Sequence, residues 1–186
     1  TLYHQAVHLV EVQALQLNLA EVEDPIRNRV AESGLIQLEL SELISIECVE
    51  LDLTSWLHEG LIVIEKDFRS KANELNQNDF KGKGVGLKIK GDAIVPDWAW
   101  MVITARLLSA EFVVIGGIEG AREEALRRGI DGINVEEYRD KRIIVRGCDD
   151  ASSPEGLLLF QAKLQPVVKS IMFGEACSTV PVFKKK

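Results

Sequence analysis

Three short apolar runs, Val85–Lys90, Phe112–Ile115 and Arg142–Val145, each end at or beside a glycine and give way to a helix-forming stretch. This alternation leaves few folds open. A strand that returns in parallel to the same sheet needs a crossover, and a helix supplies it on the right-handed path. The pattern predicts an α/β fold, a two- or three-layer sandwich around a central, mainly parallel sheet with βα units over 85–173. The first and third units share their punctuation: Ile89-Lys90-Gly91-Asp92 precedes Pro96-Asp97, and Val145-Arg146-Gly147-Cys148-Asp149 precedes Pro154-Glu155. Glycine permits the sharp turn off the strand. Proline at the first helical position forgoes no hydrogen bond, and the acid after it suits the positive end of the helix.

The helices differ in character. Pro96–Leu108 carries Trp98, Trp100, Met101, Val102, Ile103, Leu107 and Leu108, apolar nearly all round, which predicts burial on more than one side or a place in a subunit interface. Glu119–Arg128 reads as a surface helix, with Ala121 and Ala125 inward, Glu123 and Glu124 four residues ahead of Arg127 and Arg128, and Gly129 as its stop. The last helix starts at Pro154 with Ser153 as cap. Its apolar face runs Leu157, Phe160, Leu164, Val168, Ile171, kinked or divided at Pro166. After Gly174 the chain turns back.

Upstream lies a small α+β portion. Residues 35–40 and 49–53 alternate as strands, forming an antiparallel pair or an edge to the main sheet. Thr54–Gly60 reads as one helical turn, Glu65–Leu75 as a helix anchored by Phe68 and Leu75, and Asn73–Gly84 as a loop. Residues 1–24 fit strand or helix, Asp24-Pro25 breaks them off, and a short helix over Ile26–Val30 comes next. The organisation predicted is an extension over 1–24 and one domain over 25–186. Within it, 25–80 make the α+β part, 85–173 the parallel core and 174–186 a cysteine-bearing tail.

A chain of 186 residues, 46% hydrophobic, can bury one substantial core. It has no apolar run near the roughly 18–20 residues that span a bilayer and no basic-then-apolar secretory order at its start, so the expected place is the cytoplasm and no membrane partner is expected. A net charge of −7 and a pI near 5.1 argue against nucleic acid, which calls for clustered Lys and Arg. The one basic run, Lys184-Lys185-Lys186, reads as a solvated tail. Cysteines at 48, 148 and 177 lack CxxC spacing and build no disulfide framework, which points to free thiols in a reducing compartment.

Ligands of open parallel sheets bind beyond the carboxyl ends of the strands. Here that edge would hold Asp92, Gly116, Gly117, Cys148, Asp149 and Asp150. The turn Gly116-Gly117-Ile118-Glu119-Gly120 lacks the GxGxxG order and puts Glu119 where a phosphate wants neutral backbone. Cys148, just past a buried strand and near a helix start, stands where a thiolate is stabilised and reachable. The tail adds Cys177 with Glu175, Ser178 and Thr179. If the tail returns across the sheet edge, Cys148, Cys177 and Asp92 meet. Two thiolates and a carboxylate suit zinc or iron, and four thiolates across a homodimer suit an iron–sulfur cluster. His4 and His8, at i, i+4 spacing, read as exposed terminal histidines, and His58 beside Glu59 points about 100° away from it on a helix. The ligand-binding set is thus Asp92, Gly116, Gly117, Ser178 and Thr179; the metal set is Cys148, Cys177 and Asp92, with Cys148 also the candidate nucleophile.

Several motifs carry a resemblance. Asp92-Ala93-Ile94-Val95-Pro96-Asp97-Trp98-Ala99, Glu137-Tyr138-Arg139, Arg146-Gly147-Cys148 and the tail from Pro166 to Pro181, with Phe173-Gly174-Glu175-Ala176-Cys177-Ser178 at its centre, resemble a bacterial family catalogued only as a domain of unknown function. The likeness covers about Ile26 to Lys186; Cys148 and Cys177 fall inside its motifs, Cys48 and residues 1–24 outside. The resemblance implies no activity. It implies a setting in gene clusters for SUF-type iron–sulfur cluster assembly, and hence iron–sulfur assembly proteins as partners. The expected function is an accessory factor in iron–sulfur or metal-centre assembly, with Cys148 and Cys177 as thiolate ligands or sulfur acceptors and Asp92 as oxygen ligand. The alternatives are an enzyme whose Cys148 attacks a phosphorylated or acyl substrate at the Gly116-Gly117 turn, and a non-catalytic module that docks through the Pro96 helix.

Overall fold

Parallel pairing dominates the computed structural model, which describes residues 34–146, 153–175 and 178–186. Strand β1 (Leu35–Glu39) is followed by β2 (Cys48–Asp52), helix α1 (Glu65–Glu74), β3 (Gly84–Lys88), α2 (Asp97–Arg106) and β4 (Phe112–Ile115). Then come α3 (Gly117–Asp131), β5 (Arg142–Arg146), α4 (Pro154–Leu164), β6 (Ser170–Glu175) and β7 (Ser178–Lys184). The mainly parallel α/β architecture is present, divided between two sheets. One has the order β2-β3-β4, wholly parallel; the other has the order β1-β5-β6-β7, antiparallel only between β6 and β7.

This division corrects one expectation and decides another. The third apolar run, β5, does not lie beside β3 and β4, and β1 and β2 form no antiparallel pair; each takes the alternative place, at the edge of a sheet. Each alternating strand is instead taken by a separate parallel partner, Leu35–Glu39 by Arg142–Arg146 and Cys48–Asp52 by Gly84–Lys88. The reason lies in β3 and β5, whose Val85, Leu87, Ile143, Ile144 and Val145 are all buried. In β3 the other face is the buried Gly84 and Gly86, and strands buried on both faces belong inside a sheet, with a neighbour at each edge.

Helices α1 and α2 cover one face of β2-β3-β4, burying Phe68, Ala72, Ala99, Ile103 and Leu107 against Leu53, Val85 and Leu87. Trp56 and Trp98 meet Phe68 edge-on at 5.4 and 6.1 Å between ring centres. The all-round apolar helix is covered on one side only: Ala99 and Ile103 are fully buried, while Met101 is 74% exposed.

Helix α3 lies on the opposite face, where Ala121 and Ala125 meet Phe112 and Cys48. Its Leu126 and Ile130 enter the other core, formed by Ile143, Val145, Phe160, Leu164 and Ile171. It is therefore the joint between the sheets as well as a surface helix, with Ala121 and Ala125 inward as expected and Arg122, Glu123 and Arg127 exposed. Gly129 does not stop it. A Cβ there would stand 2.1 Å from the Leu43 carbonyl oxygen, so this glycine permits close packing, and Gly132 takes the cap. On the solvent side Glu124 accepts from Arg127 at 2.7 Å and Arg128 at 2.8 Å. These bonds, Arg127 first, hold the Glu124 carboxyl down at about 2.

Ser153 caps α4 as read from sequence, its Oγ accepting the Gly156 N–H at 3.0 Å. The helix ends at Leu164 and does not resume after Pro166: Ile171 lies on β6, paired with Ile143. Proline removes the helical donor, and the open edge of β5 offers Ser170–Glu175 a ladder instead. Residues 1–33, 147–152 and 176–177, with the extension, His4, His8, Cys148, Asp149, Asp150 and Cys177, lie outside the described residues. No described helix is long and apolar enough to cross a membrane.

Candidate functional site

The chain leaves β3 toward α2 on one face of its sheet and leaves the adjacent β4 toward α3 on the other. Neighbouring strands whose exits diverge leave a crevice at their carboxyl ends. A cleft of about 490 Å³ opens there. Its base is the end of β3, Leu87, Lys88 and Ile89. Gly91, Ala93 and Val95 with Trp100 of α2 make one wall, and Ile115, Gly116 and Gly117 make the other.

Backbone approaches closely at this end. A Cβ on Gly86 would stand 1.7 Å from the Gly117 carbonyl oxygen, so the turn into α3 rests on bare β3 backbone. Gly116 and Gly117 take φ of 121° and 66°, which glycine alone adopts readily.

Strand β2 supplies the charge. Its alternation sends Val49 and Leu51 to the α1–α2 core and Glu50 and Asp52 to the opposite face, where the β3 register sets Asp52 opposite Lys88. Glu50 Oε2 accepts from Lys88 Nζ at 3.0 Å and from the Ile118 N–H at 3.1 Å. Lys88 first, then the Ile118 N–H, hold the Glu50 carboxyl below its ordinary value, and Glu50 in turn raises the Lys88 ammonium. The positive start of α3 thus holds a carboxylate of the chain itself. One rung on, Asp52 pairs with Lys90 at 3.1 Å and accepts the Thr54 N–H at 2.8 Å. Its carboxyl is lowered to about 2, by Thr54 chiefly and by Lys90 after it.

Of the residues read from sequence, Gly116 and Gly117 line the cleft, and Asp92 lies exposed between two lining residues, Gly91 and Ala93. A phosphorylated substrate at the Gly116-Gly117 turn meets Glu50 already in the anion position. Sequence reasoning missed Glu50, whose only signal is its alternation with Asp52 on a strand that comes to lie beside Lys88 and Lys90. Ser178 and Thr179 are elsewhere, on β7: Ser178 faces Glu175, and Thr179 Oγ1 donates to Met172 Sδ at 3.8 Å.

The carboxyl end of the second sheet is built from side chains. Arg146 on β5 reaches Glu39 on β1 at 2.5 Å and Glu175 on β6 at 3.1 and 3.3 Å. Cys148 and Cys177 follow Arg146 and Glu175 by two residues in sequence. Asp92 lies in the bend that follows β3, a strand of the other sheet, whereas the strand ahead of Cys148 is β5. Cys48 is a half-buried thiol that donates to the Ile46 carbonyl at 3.5 Å, and burial pushes its pKa up. His58 and Glu59 stand 4.0 Å apart on an exposed turn. Among the described residues no group of three or more His, Cys, Asp or Glu side chains is arranged to hold a metal ion.

No curated protein and no solved structure matches the chain. A family model does match, over residues 24–185, the stretch that carries the resemblance in sequence; it is described as "Protein of unknown function (DUF2480)".

Proposed function

This chain belongs to the DUF2480 family, and we propose that it is an accessory factor in iron–sulfur or metal-centre assembly, with Cys148 and Cys177 as thiolate ligands or sulfur acceptors. One observation carries the reading. Arg146 and Glu175, each two residues ahead of one of these cysteines in sequence, are bonded to each other across adjacent parallel strands, so the strands that precede the two cysteines end side by side. A guanidinium favours a thiolate near it. Two thiolates per chain make a four-thiolate cluster the work of a homodimer, and the natural partners are proteins that build or receive iron–sulfur centres. The thiol-enzyme alternative is weaker, because its substrate turn lies on the other sheet and Glu50 repels a phosphate there.

The test is iron, zinc and acid-labile sulfide content, with an absorption spectrum, on protein purified without oxygen. Stoichiometric iron and sulfide, lost in both Cys148→Ser and Cys177→Ser, is the expected result. Zinc alone, lost in both variants, points to a metal site without a cluster. Metal retained in both variants, or absent from fresh protein, ends the proposal.

A further inference from the structure

We propose that the crevice between β3 and β4 is a separate binding site for a small organic cation, an ammonium or guanidinium carried on an apolar ring or short chain. Two independent features place a ligand there. The divergent exits from β3 and β4 mark the position where open parallel sheets bind ligands, and the cleft found at that position, about 490 Å³, falls within the size of small-molecule sites.

Charge decides which ligand. Lys88 and Lys90 are each neutralised by a carboxylate of β2, at 3.0 and 3.1 Å, and the start of α3 is taken by Glu50. Two carboxylates remain without an ion pair among the described residues: Asp92 at the rim, and Glu119 in the first turn of α3, close enough for its charge to act on Lys88. Lys88 is the one charged side chain that lines the cleft, and Glu50 neutralises it; with Lys90, Asp52, Asp92 and Glu119 around the rim, two ammonium groups stand against four carboxylates, so a phosphate or carboxylate ligand is repelled and a cation is drawn in. The walls supply the rest. Val95 and Ile115 offer apolar contact, and the half-buried Trp100 lines the cleft with an indole, the aromatic side chain that best receives a cation on its face.

The experiment is a titration of the full ¹⁵N-labelled chain with four probes: 2-phenylethylamine, 2-phenylethanol and 3-phenylpropionate, which are similar in size, and inorganic phosphate. The amine is expected to shift the amide signals of Ala93, Gly116 and Gly117 and the Trp100 indole N–H, with the alcohol weaker and both anions silent. Asp92→Asn is expected to weaken the amine by about two- to fivefold, the scale of one exposed charge pair. Cys148→Ser and Cys177→Ser leave amine binding unchanged, which separates this site from the cysteine reading. Shifts caused by either anion, equal binding of alcohol and amine, or no response to any probe would each overturn the proposal.

Discussion

The two sheets finish their carboxyl ends by different means. In β2-β3-β4 the backbone does it: a bare Gly86 admits the Gly117 carbonyl, and Glu50 settles on the start of α3 beside Lys88. In β1-β5-β6-β7 side chains do it, with Arg146 holding Glu39 on one neighbour and Glu175 on the other. The spaces beside them differ as well. The first sheet opens into a cleft with Lys88 at its base and the Trp100 indole in its wall; the second leaves a groove of about 440 Å³ between α4 and β6–β7, lined by Leu157, Phe160, Phe173 and Val182 among others and almost wholly apolar. Parallel strands fix where an opening forms, and the side chains nearby decide what it can hold.

The comparison breaks first at its joint. Phe68→Ala in one core and Phe160→Ala in the other should each cost about 3–5 kcal/mol, since both rings are buried to within 1%. Because α3 reaches both cores, urea should unfold either variant in a single transition, with fluorescence and circular dichroism tracing the same curve. Two separated transitions would make the sheets independent units.

Next comes the backbone contact itself. Gly86→Ala drives a methyl into the Gly117 carbonyl and should lose about 3 kcal/mol. Gly91→Ala, at φ 76° with open space around its Cβ, should lose only about 1–2 kcal/mol, the cost of the left-handed conformation. Equal losses in chemical denaturation would remove the close approach as the reason for glycine at 86.

The smallest effect is acid sensitivity. Asp52 and Glu124 titrate at about 2 in the folded chain, below their ordinary 3.8 and 4.5, so the stability they contribute is full above those ordinary values and is lost as pH falls through about 2. Glu124→Gln and Asp52→Asn should each flatten the fall in melting temperature over that acid range. A variant with an unchanged slope would show that its carboxylate is not coupled to folding.

Much of the fold was legible because its signals are local. Alternation marked β1 and β2, short apolar runs marked β3, β4 and β5, and Ser153-Pro154 marked the start of α4 to the residue. β6 was hidden because Leu164, Val168 and Ile171 keep helical spacing past the point where the helix stops. Pro166 announced the break; only the open edge of β5 turned Ser170–Glu175 into a strand. Gly129 misled for a related reason, since a glycine that ends a helix and one that admits a neighbouring carbonyl look alike until Leu43 is in place. At the site, Gly116 and Gly117 were found by turn chemistry, whereas Glu50 gained its role from a helix start 68 residues away.

The sequence by itself determined the local matters: the places of β1 to β5 and of the helices between them, the glycine turn after β4, the family over residues 24–185, and the two cysteine motifs. Only the tertiary structure decided which strands lie side by side, and with that which charges meet. Parallel partners are joined by crossovers, so their pairing rests on contacts far apart in the chain that no local pattern encodes. That is why Glu50 meets Lys88, and why Asp92 follows a strand of a different sheet from the strands that lead to the cysteines.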